Sequence, residues 1–254
     1  MDSLNRFTTK AVRYDRYRWG YAPESIHHLL DITSLGRQSY VADIGSGTGI
    51  LTKELVDKVD TIYAVEPNQV MRQIAECHLG QYPAFISVDG KAEATTLPDQ
   101  SVDLIVVATA LHWFEPEPTL QEFRRILKPD GWLAVFFHSK INQDLYQALQ
   151  TISCEENGWD LTSGRKPIRG DSHTDYYFGE HQMEKVTFPQ IRHENWEAFS
   201  GGILSDSHAP EDKNPKFPRF MADLRAVFDQ FNTNGMIQIM GGTELMIGKI
   251  SKEV

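Results

Sequence analysis

Cysteine is scarce in this chain. Cys77 and Cys154 are the two thiols among 254 residues, and neither sits in a CxxC pair or near a histidine cluster. That excludes a disulfide framework and fits a reducing compartment. Positive charge is also short, with 25 Lys and Arg against 35 Asp and Glu and a net charge of −10. A nucleic-acid-binding surface needs the reverse balance, and so does one that docks on an anionic membrane. Neither nucleic acid nor membrane is therefore an expected partner. Long apolar runs are missing too. Leu104 to Leu111 is the longest, far below the ~20 residues of a membrane-crossing helix. Met1 to Arg18 lacks the apolar stretch of a secretory signal, so a cytoplasmic location is expected. His173, His181, His193 and His208 show no ligand spacing with one another, and no metal site is expected.

What is present begins with a glycine turn. Val41-Ala42-Asp43-Ile44 is a short apolar run broken by an acid, and Gly45, Gly47 and Gly49 follow at alternate positions. A helical pattern comes next, with Ile50, Leu51, Leu55 and Val56. Strand, tight glycine turn and helix together open a nucleotide-binding α/β unit. Backbone that lies against a cofactor has no room for Cβ atoms, and the turn needs φ values that glycine visits cheaply. The spacing separates two cofactor classes. A dinucleotide fingerprint, G-x-G-x-x-G, needs glycine at position 50, where this chain has Ile50. Further on, Thr61-Ile62-Tyr63-Ala64-Val65 reads as a second strand ending at Glu66, seventeen positions after Gly49. A carboxylate there can accept both ribose hydroxyls of a nucleoside. Asn68 follows as a candidate helix N-cap.

Strand and helix then alternate. Strands are expected near 84–88, 102–108 and 132–137, with a helix over 120–127 closed by Lys128-Pro129-Asp130-Gly131. Val102 to Ala108 reads as the fourth strand, and from Leu104 onward it is unbrokenly apolar, as a parallel strand covered on both faces should be. The fold class is α/β, a doubly wound, mostly parallel, Rossmann-like sheet of seven strands with an antiparallel C-terminal strand and a small helical cap. Residues 1–40 read as a lid and first helix, and 41–140 as the cofactor-binding core. Residues 141–235 read as a helical and irregular cap with one sheet strand. Residues 236–254 read as a closing hairpin turned at Gly241-Gly242.

Four ordered segments resemble the S-adenosylmethionine-dependent methyltransferases of type 11, close to the trans-aconitate methyltransferase group. They are Asp43 to Gly49; Val65-Glu66-Pro67-Asn68; Gly90-Lys91-Ala92-Glu93 with Leu97 to Asp103; and His112-Trp113-Phe114 with Arg124 to Gly131. The resemblance implies that Asp43, Gly45, Ser46, Gly47 and Gly49 hold the methionine end of the cofactor. Glu66 would take the ribose, and Pro67 and Met71 would line the adenine. Lys91, Ala92 and Glu93 would meet the adenine edge, with Ala108 to His112, including Leu111, facing the sulfonium. Two departures stand out. Lys91 occupies a slot where the group often has Asp. Trp19 replaces a proline in the leader pattern Tyr14-x-x-x-Arg18-Trp19-x-Tyr21.

The acceptor side offers fewer signals. His112 and Trp113 follow the fourth strand, where ligands of such sheets gather. His112 is the candidate base, or else it bonds backbone while Trp113 packs in the core. Tyr14 and Tyr21 are candidates for an aromatic lid near the sulfonium, with Arg18 beside them in the acceptor pocket, or else the stretch is an amphipathic helix packed on the sheet. Arg165, Lys166 and Arg169 lie in a glycine-rich insert and would clamp a carboxylate, or are simply solvated. The reading is a methyltransferase acting on a small molecule, with carboxylate O-methylation implied by the resemblance. The alternatives are a non-catalytic S-adenosylmethionine-binding module and an NAD(P)-dependent oxidoreductase, the latter opposed by Ile50.

Overall fold

The computed structural model describes residues 3–139, 142–159, 173–178, 183–206 and 208–250. In chain order the elements are α1 (Ser3–Tyr17), α2 (Pro23–Thr33), β1 (Tyr40–Ile44), α3 (Ile50–Leu55), β2 (Thr61–Val65), α4 (Gln69–Leu79) and β3 (Phe85–Val88). After these come β4 (Val102–Ala108), α5 (Pro116–Ile126), β5 (Leu127–Ser139), α6 (Gln143–Ile152), α7 (His173–Phe178) and β6 (Met183–Glu194). The last are α8 (Trp196–Leu204), α9 (Phe217–Phe231), β7 (Asn232–Thr233) and β8 (Met236–Gly248).

One sheet of eight strands runs in the order β3-β2-β1-β4-β5-β8-β6, with the two-residue β7 paired to β8. The pairs β1–β2, β1–β4, β2–β3 and β4–β5 are parallel, and β7–β8 is antiparallel. The expected mostly parallel, doubly wound sheet is therefore present, with one strand more than predicted. The order reverses between β1 and β4, and in open α/β sheets ligands bind beyond the carboxyl ends of the strands at such a switch point.

The chain divides into two compact units. The larger holds residues 20–138, 167–188 and 243–254. Its interior is the apolar runs themselves. Leu104, Ile105, Val106 and Val107 of β4 have no exposed surface, nor do Ala42 and Ile44 of β1. Burial of such aliphatic side chains is worth about 1.5–3 kcal/mol each, which fixes the strands in register. The smaller unit holds residues 1–19, 139–166 and 189–242. It has its own core, in which Leu145 and Leu149 of α6 pack with Phe199 of α8 and Phe220, Leu224 and Phe228 of α9.

Two expectations are corrected. Gly241-Gly242 does not turn the chain, because β8 runs unbroken from Met236 to Gly248. Neither glycine has a positive φ, whereas Asn234 (φ 53°) and Gly235 (φ 80°) do, and they make the turn between β7 and β8. Asn-Gly is the favoured pair for such a turn. The second correction is at Lys128-Pro129-Asp130-Gly131, which belongs to β5 instead of a loop before it. Leu127 pairs with Val102 and Trp132 with Leu104, so the intervening residues bulge from the ladder.

Candidate active site

The glycine turn sits at the carboxyl end of β1 and is pinned to β2. Gly45 N and Ser46 N donate to Val65 O at 2.8 and 3.2 Å. Gly45, Gly47 and Gly49 all have positive φ, at 70°, 57° and 85°. A side chain at Gly45 would also collide, since its Cβ would lie 2.7 Å from Ala110 Cβ. At Gly49 a Cβ would lie 2.8 Å from Leu79 Cδ1 of α4. The turn is thus seated between α4 and the segment that follows β4.

Two carboxylates converge on it. Asp43 is fully buried, and Thr52 Oγ1 of α3 donates to its Oδ2 at 2.6 Å. Its Oδ1 is buried with no hydrogen-bond partner, as are Ser46 Oγ and Thr48 Oγ1 of the turn. Burial pushes the Asp43 carboxyl up from 3.8 to about 7, the Thr52 bond opposes that, and the charge of Glu66 adds to it. Glu66 is 7% exposed. Its Oε2 accepts from Gly47 N at 3.0 Å and its Oε1 from Asn68 N at 2.8 Å. Burial raises the Glu66 carboxyl, against the pull of those two N–H groups and of Arg72. Arg72 also donates to Glu66 O at 2.7 Å and pairs with Asp89 at 2.9 Å, which closes the end of β2.

The other residues that the resemblance assigns to the cofactor lie at or just beyond the carboxyl ends of β2, β3 and β4. Asn68 caps α4, accepting from Val70 N at 3.0 Å and Met71 N at 3.1 Å. Met71 is buried, and its Sδ is 3.8 Å from where a Gly47 Cβ would stand. Pro67 is half-buried beside it. Lys91 exchanges backbone hydrogen bonds with Ala94, Ala92 is buried in the core, and Glu93 Oε1 accepts from Glu115 N at 3.0 Å. Glu93 therefore ties its loop to the start of α5. Ala108 ends β4, and Leu111 turns its side chain wholly into the core.

On the acceptor side, His112 is half-buried and lies against Trp113, with ring centroids 4.9 Å apart. Trp113 is 37% exposed, so it is not a core residue. Tyr21 is in the same unit, buried, with its hydroxyl 3.0 Å from Thr109 Oγ1. Tyr14 and Arg18 belong to the smaller unit, where Arg18 Cζ lies 5.3 Å from the Tyr14 ring centroid. Arg165, Lys166 and Arg169 are outside the described residues. Thr52, Thr109 and His138 are missing from the sequence reading. Thr52 was findable, as a polar residue on the buried face of α3 between Leu51 and Leu55.

This donor set fits a cationic nucleoside. An orphan carboxylate oxygen beside a bare backbone turn suits an ammonium group. Each Glu66 oxygen uses one lone pair on backbone and keeps another for a ribose hydroxyl. Comparison with known proteins agrees. Residues 42–135 match the methyltransferase domain family. An uncharacterized methyltransferase of Mycobacterium tuberculosis is 36% identical over 134 residues, 53% of this chain and 52% of the relative. The probable S-adenosylmethionine-dependent methyltransferase CRG1 of Saccharomyces cerevisiae is 28% identical over 134 residues, 51% of this chain and 45% of that protein. The chain thus spans about half the length of the curated relatives it matches. In fold it is similar to a protein of Anaeromyxobacter dehalogenans proposed to be a type II methyltransferase. That likeness covers 92% of this chain and 98% of the other, with a TM-score of 0.63 at 20% identity. The likeness to the methyltransferase domain family thus falls on the stretch that holds Asp43, the glycine turn and Glu66.

Proposed function

We propose that the whole chain is an enzyme that moves the methyl group of S-adenosylmethionine to a small molecule, and that the acceptor atom is a carboxylate oxygen. The observation that carries the first part is the pairing of Asp43 and Glu66 on the glycine turn, with Asp43 Oδ1 orphaned. Roles follow from position. Asp43 and the turn hold the amino-acid end, Glu66 takes the ribose diol, and Met71 with Pro67 flanks the base. The net charge of −10 argues for a metabolite in place of a nucleic acid. Carboxylate chemistry is supported by the four-segment resemblance to the trans-aconitate group.

When bound, the cofactor supplies an electrophilic methyl carbon on a sulfonium. Transfer to an acceptor oxygen would exchange the methyl carbon–sulfur bond for a carbon–oxygen bond, with the electron pair of the broken bond staying on sulfur. A carboxylate gives up no proton in this step, so His112 need not act as a base. The work left to the chain is alignment and exclusion of water, worth roughly 7–11 kcal/mol where alignment is complete.

The test is an acceptor panel with labelled S-adenosylmethionine, containing di- and tricarboxylates, phenols, amines and quinols. Label should pass to a carboxylate as an ester that mild base removes. Base-stable label on a phenol or carbon centre would overturn the carboxylate reading. Calorimetry with S-adenosylhomocysteine and NADH runs beside it. Tight S-adenosylhomocysteine binding with no transfer to any acceptor would favour a non-catalytic binding module.

A further inference from the structure

Arg72 is a cation in an unfavourable place. Asn68 caps α4, and the Arg72 N–H makes a helical bond to Asn68 O at 3.0 Å, so Arg72 stands at the end of the first turn. A helix dipole repels positive charge at that end. Side chains on a helix lean toward its N-terminus, which carries the guanidinium back to the end of β2. There Nη1 donates to Glu66 O at 2.7 Å and pairs with Asp89 Oδ1 at 2.9 Å. The Arg72 side chain is 13% exposed, whereas Asp89, just past β3, is 74% exposed. An ion pair with so open a partner contributes little. Shutting a guanidinium in against the helix dipole therefore needs a reason beyond tying β2 to β3.

Glu66 supplies one. The residue whose carbonyl Arg72 holds also carries a buried carboxylate on the glycine turn. Burial pushes that carboxyl up, while the N–H groups of Asn68 and Gly47 and the charge of Arg72 pull it down. The other charged groups around it are acids. Asp43 at the end of β1 is itself raised in part by the Glu66 charge, and Asp89 beyond β3 pairs with Arg72. To take both hydroxyls of a ribose, each Glu66 oxygen must accept a second hydrogen bond beside its backbone N–H. A protonated carboxyl carries a donor on one oxygen and loses that capacity.

We propose that Arg72 is the positioning residue of the ribose site: its bond to Glu66 O fixes where the carboxylate stands, and its charge keeps Glu66 an anion before the nucleoside arrives. This role rests on Glu66 taking the ribose diol, as proposed above, and Arg72 acts through Glu66.

Adenosine is the probe, since it has the ribose and lacks the amino-acid end. Its affinity for the full chain is measured by calorimetry from pH 8 down to pH 5. Arg72→Gln keeps an N–H for Glu66 O and loses the charge. At pH 8 its affinity should stay within about threefold of wild type. Toward pH 6 it should fall a further three- to tenfold or so behind, because Glu66 without Arg72 takes up its proton at higher pH. Arg72→Lys keeps the charge and should restore the wild-type pH profile. Asp89→Asn breaks the tie to β3 and should stay within about twofold of wild type at every pH. Placed on Glu66→Gln, which has no carboxyl to titrate, Arg72→Gln should add no pH dependence. A wild-type pH profile in Arg72→Gln, whatever its Tm, would overturn the proposal and leave the ribose contact standing. If Arg72→Gln does not fold, Arg72→Lys decides: affinity lost equally at all pH values would assign Arg72 to its bonds alone and overturn the charge role. Wild-type adenosine affinity in Glu66→Gln would remove the ribose contact and the role of Arg72 together.

Discussion

Glu122 and Asp43 are both acids shut into the larger unit, and their surroundings treat the charge in opposite ways. Glu122, 9% exposed on α5, accepts from Thr95 N at 2.7 Å, Thr95 Oγ1 at 2.6 Å, and Arg125 Nε and NH2 at 2.8 and 2.7 Å. Arg125 in turn donates to Asp99 at 2.6 Å. Burial works against ionisation of Glu122, yet Arg125 and Thr95 hold its carboxyl down at about 2. Asp43 has one donor, Thr52, and an oxygen with none. The first arrangement is complete within the protein. The second is incomplete, and a buried acid left with an unpaired oxygen calls for a physical explanation, for which a cationic ligand is one fit. That contrast separates a structural carboxylate from one poised for a cationic partner.

The largest consequence is in pH dependence, and the two acids set opposite windows. Asp43 is raised from 3.8 to about 7, so the folded chain binds a proton that the unfolded chain releases. Its stability is fully present below about pH 4 and is lost as pH rises through 7. Glu122 is lowered from 4.5 to about 2, so its contribution is present above 4.5 and lost as pH falls toward 2. Measured by denaturant melts without cofactor, the stability of wild type relative to Asp43→Asn should fall by about 2–3 kcal/mol between pH 5 and 8, at about 1.4 kcal/mol per pH unit. A pH-independent difference would mean that Asp43 is already neutralised by something within the chain.

Substitution sharpens the same contrast. Glu122→Ala strands Thr95 N and Arg125, and should lower stability by about 2–3 kcal/mol, or several degrees in Tm for a unit of this size. S-adenosylhomocysteine affinity of the folded fraction should stay within about twofold. Asp43→Asn should do the reverse. It removes a buried charge, so at pH 7 the chain without cofactor should be as stable as wild type or more so. The cofactor should lose about tenfold or more in affinity, because an amide oxygen meets an ammonium without the opposite charge. Thermal melts with and without S-adenosylhomocysteine measure both effects. A ligand-induced Tm rise of wild-type size in Asp43→Asn would place the ammonium elsewhere.

Local patterns in the sequence carried most of the fold. The apolar runs of β1, β2 and β4, the glycine turn and the Asn68 cap each declare themselves within a few residues, because close sequence neighbours make them. What escaped depends on distant partners. The Asn234-Gly235 turn is a local signal, but the Gly241-Gly242 pair is a competing one that β8 runs straight through. α7 lies in a polar, glycine-rich stretch, yet Tyr177 and Phe178 are fully buried in the core. His138 ends a strand that reads as apolar, and only the stacking of Tyr21 upon it singles it out. The smaller unit's helices show their apolar spacing, but sequence does not group α1 with α8 and α9.

Glu66 gives the smallest effect and the finest distinction. By sequence it is a strand-tip carboxylate facing a ribose. The structure adds a second task, since both its oxygens accept backbone N–H groups, from Gly47 in the turn and Asn68 at the start of α4. Glu66→Ala therefore removes two jobs at once, the ribose contact and the tie between turn and helix, and its result is ambiguous. Glu66→Gln separates them. The amide keeps one carbonyl oxygen for a backbone N–H, and its NH2 faces the other donor, so the turn loosens only in part. Against a ribose the change is from a charged acceptor to a neutral group that can hold one hydroxyl in place of two. S-adenosylhomocysteine should weaken by about three- to tenfold in Glu66→Gln, and further in Glu66→Ala, where turn and contact fail together. Adenosine, which keeps the ribose and lacks the amino-acid end, should show the same ratio between wild type and Glu66→Gln as S-adenosylhomocysteine does. A ratio near one for adenosine would assign Glu66 to the turn alone and leave the ribose to another residue.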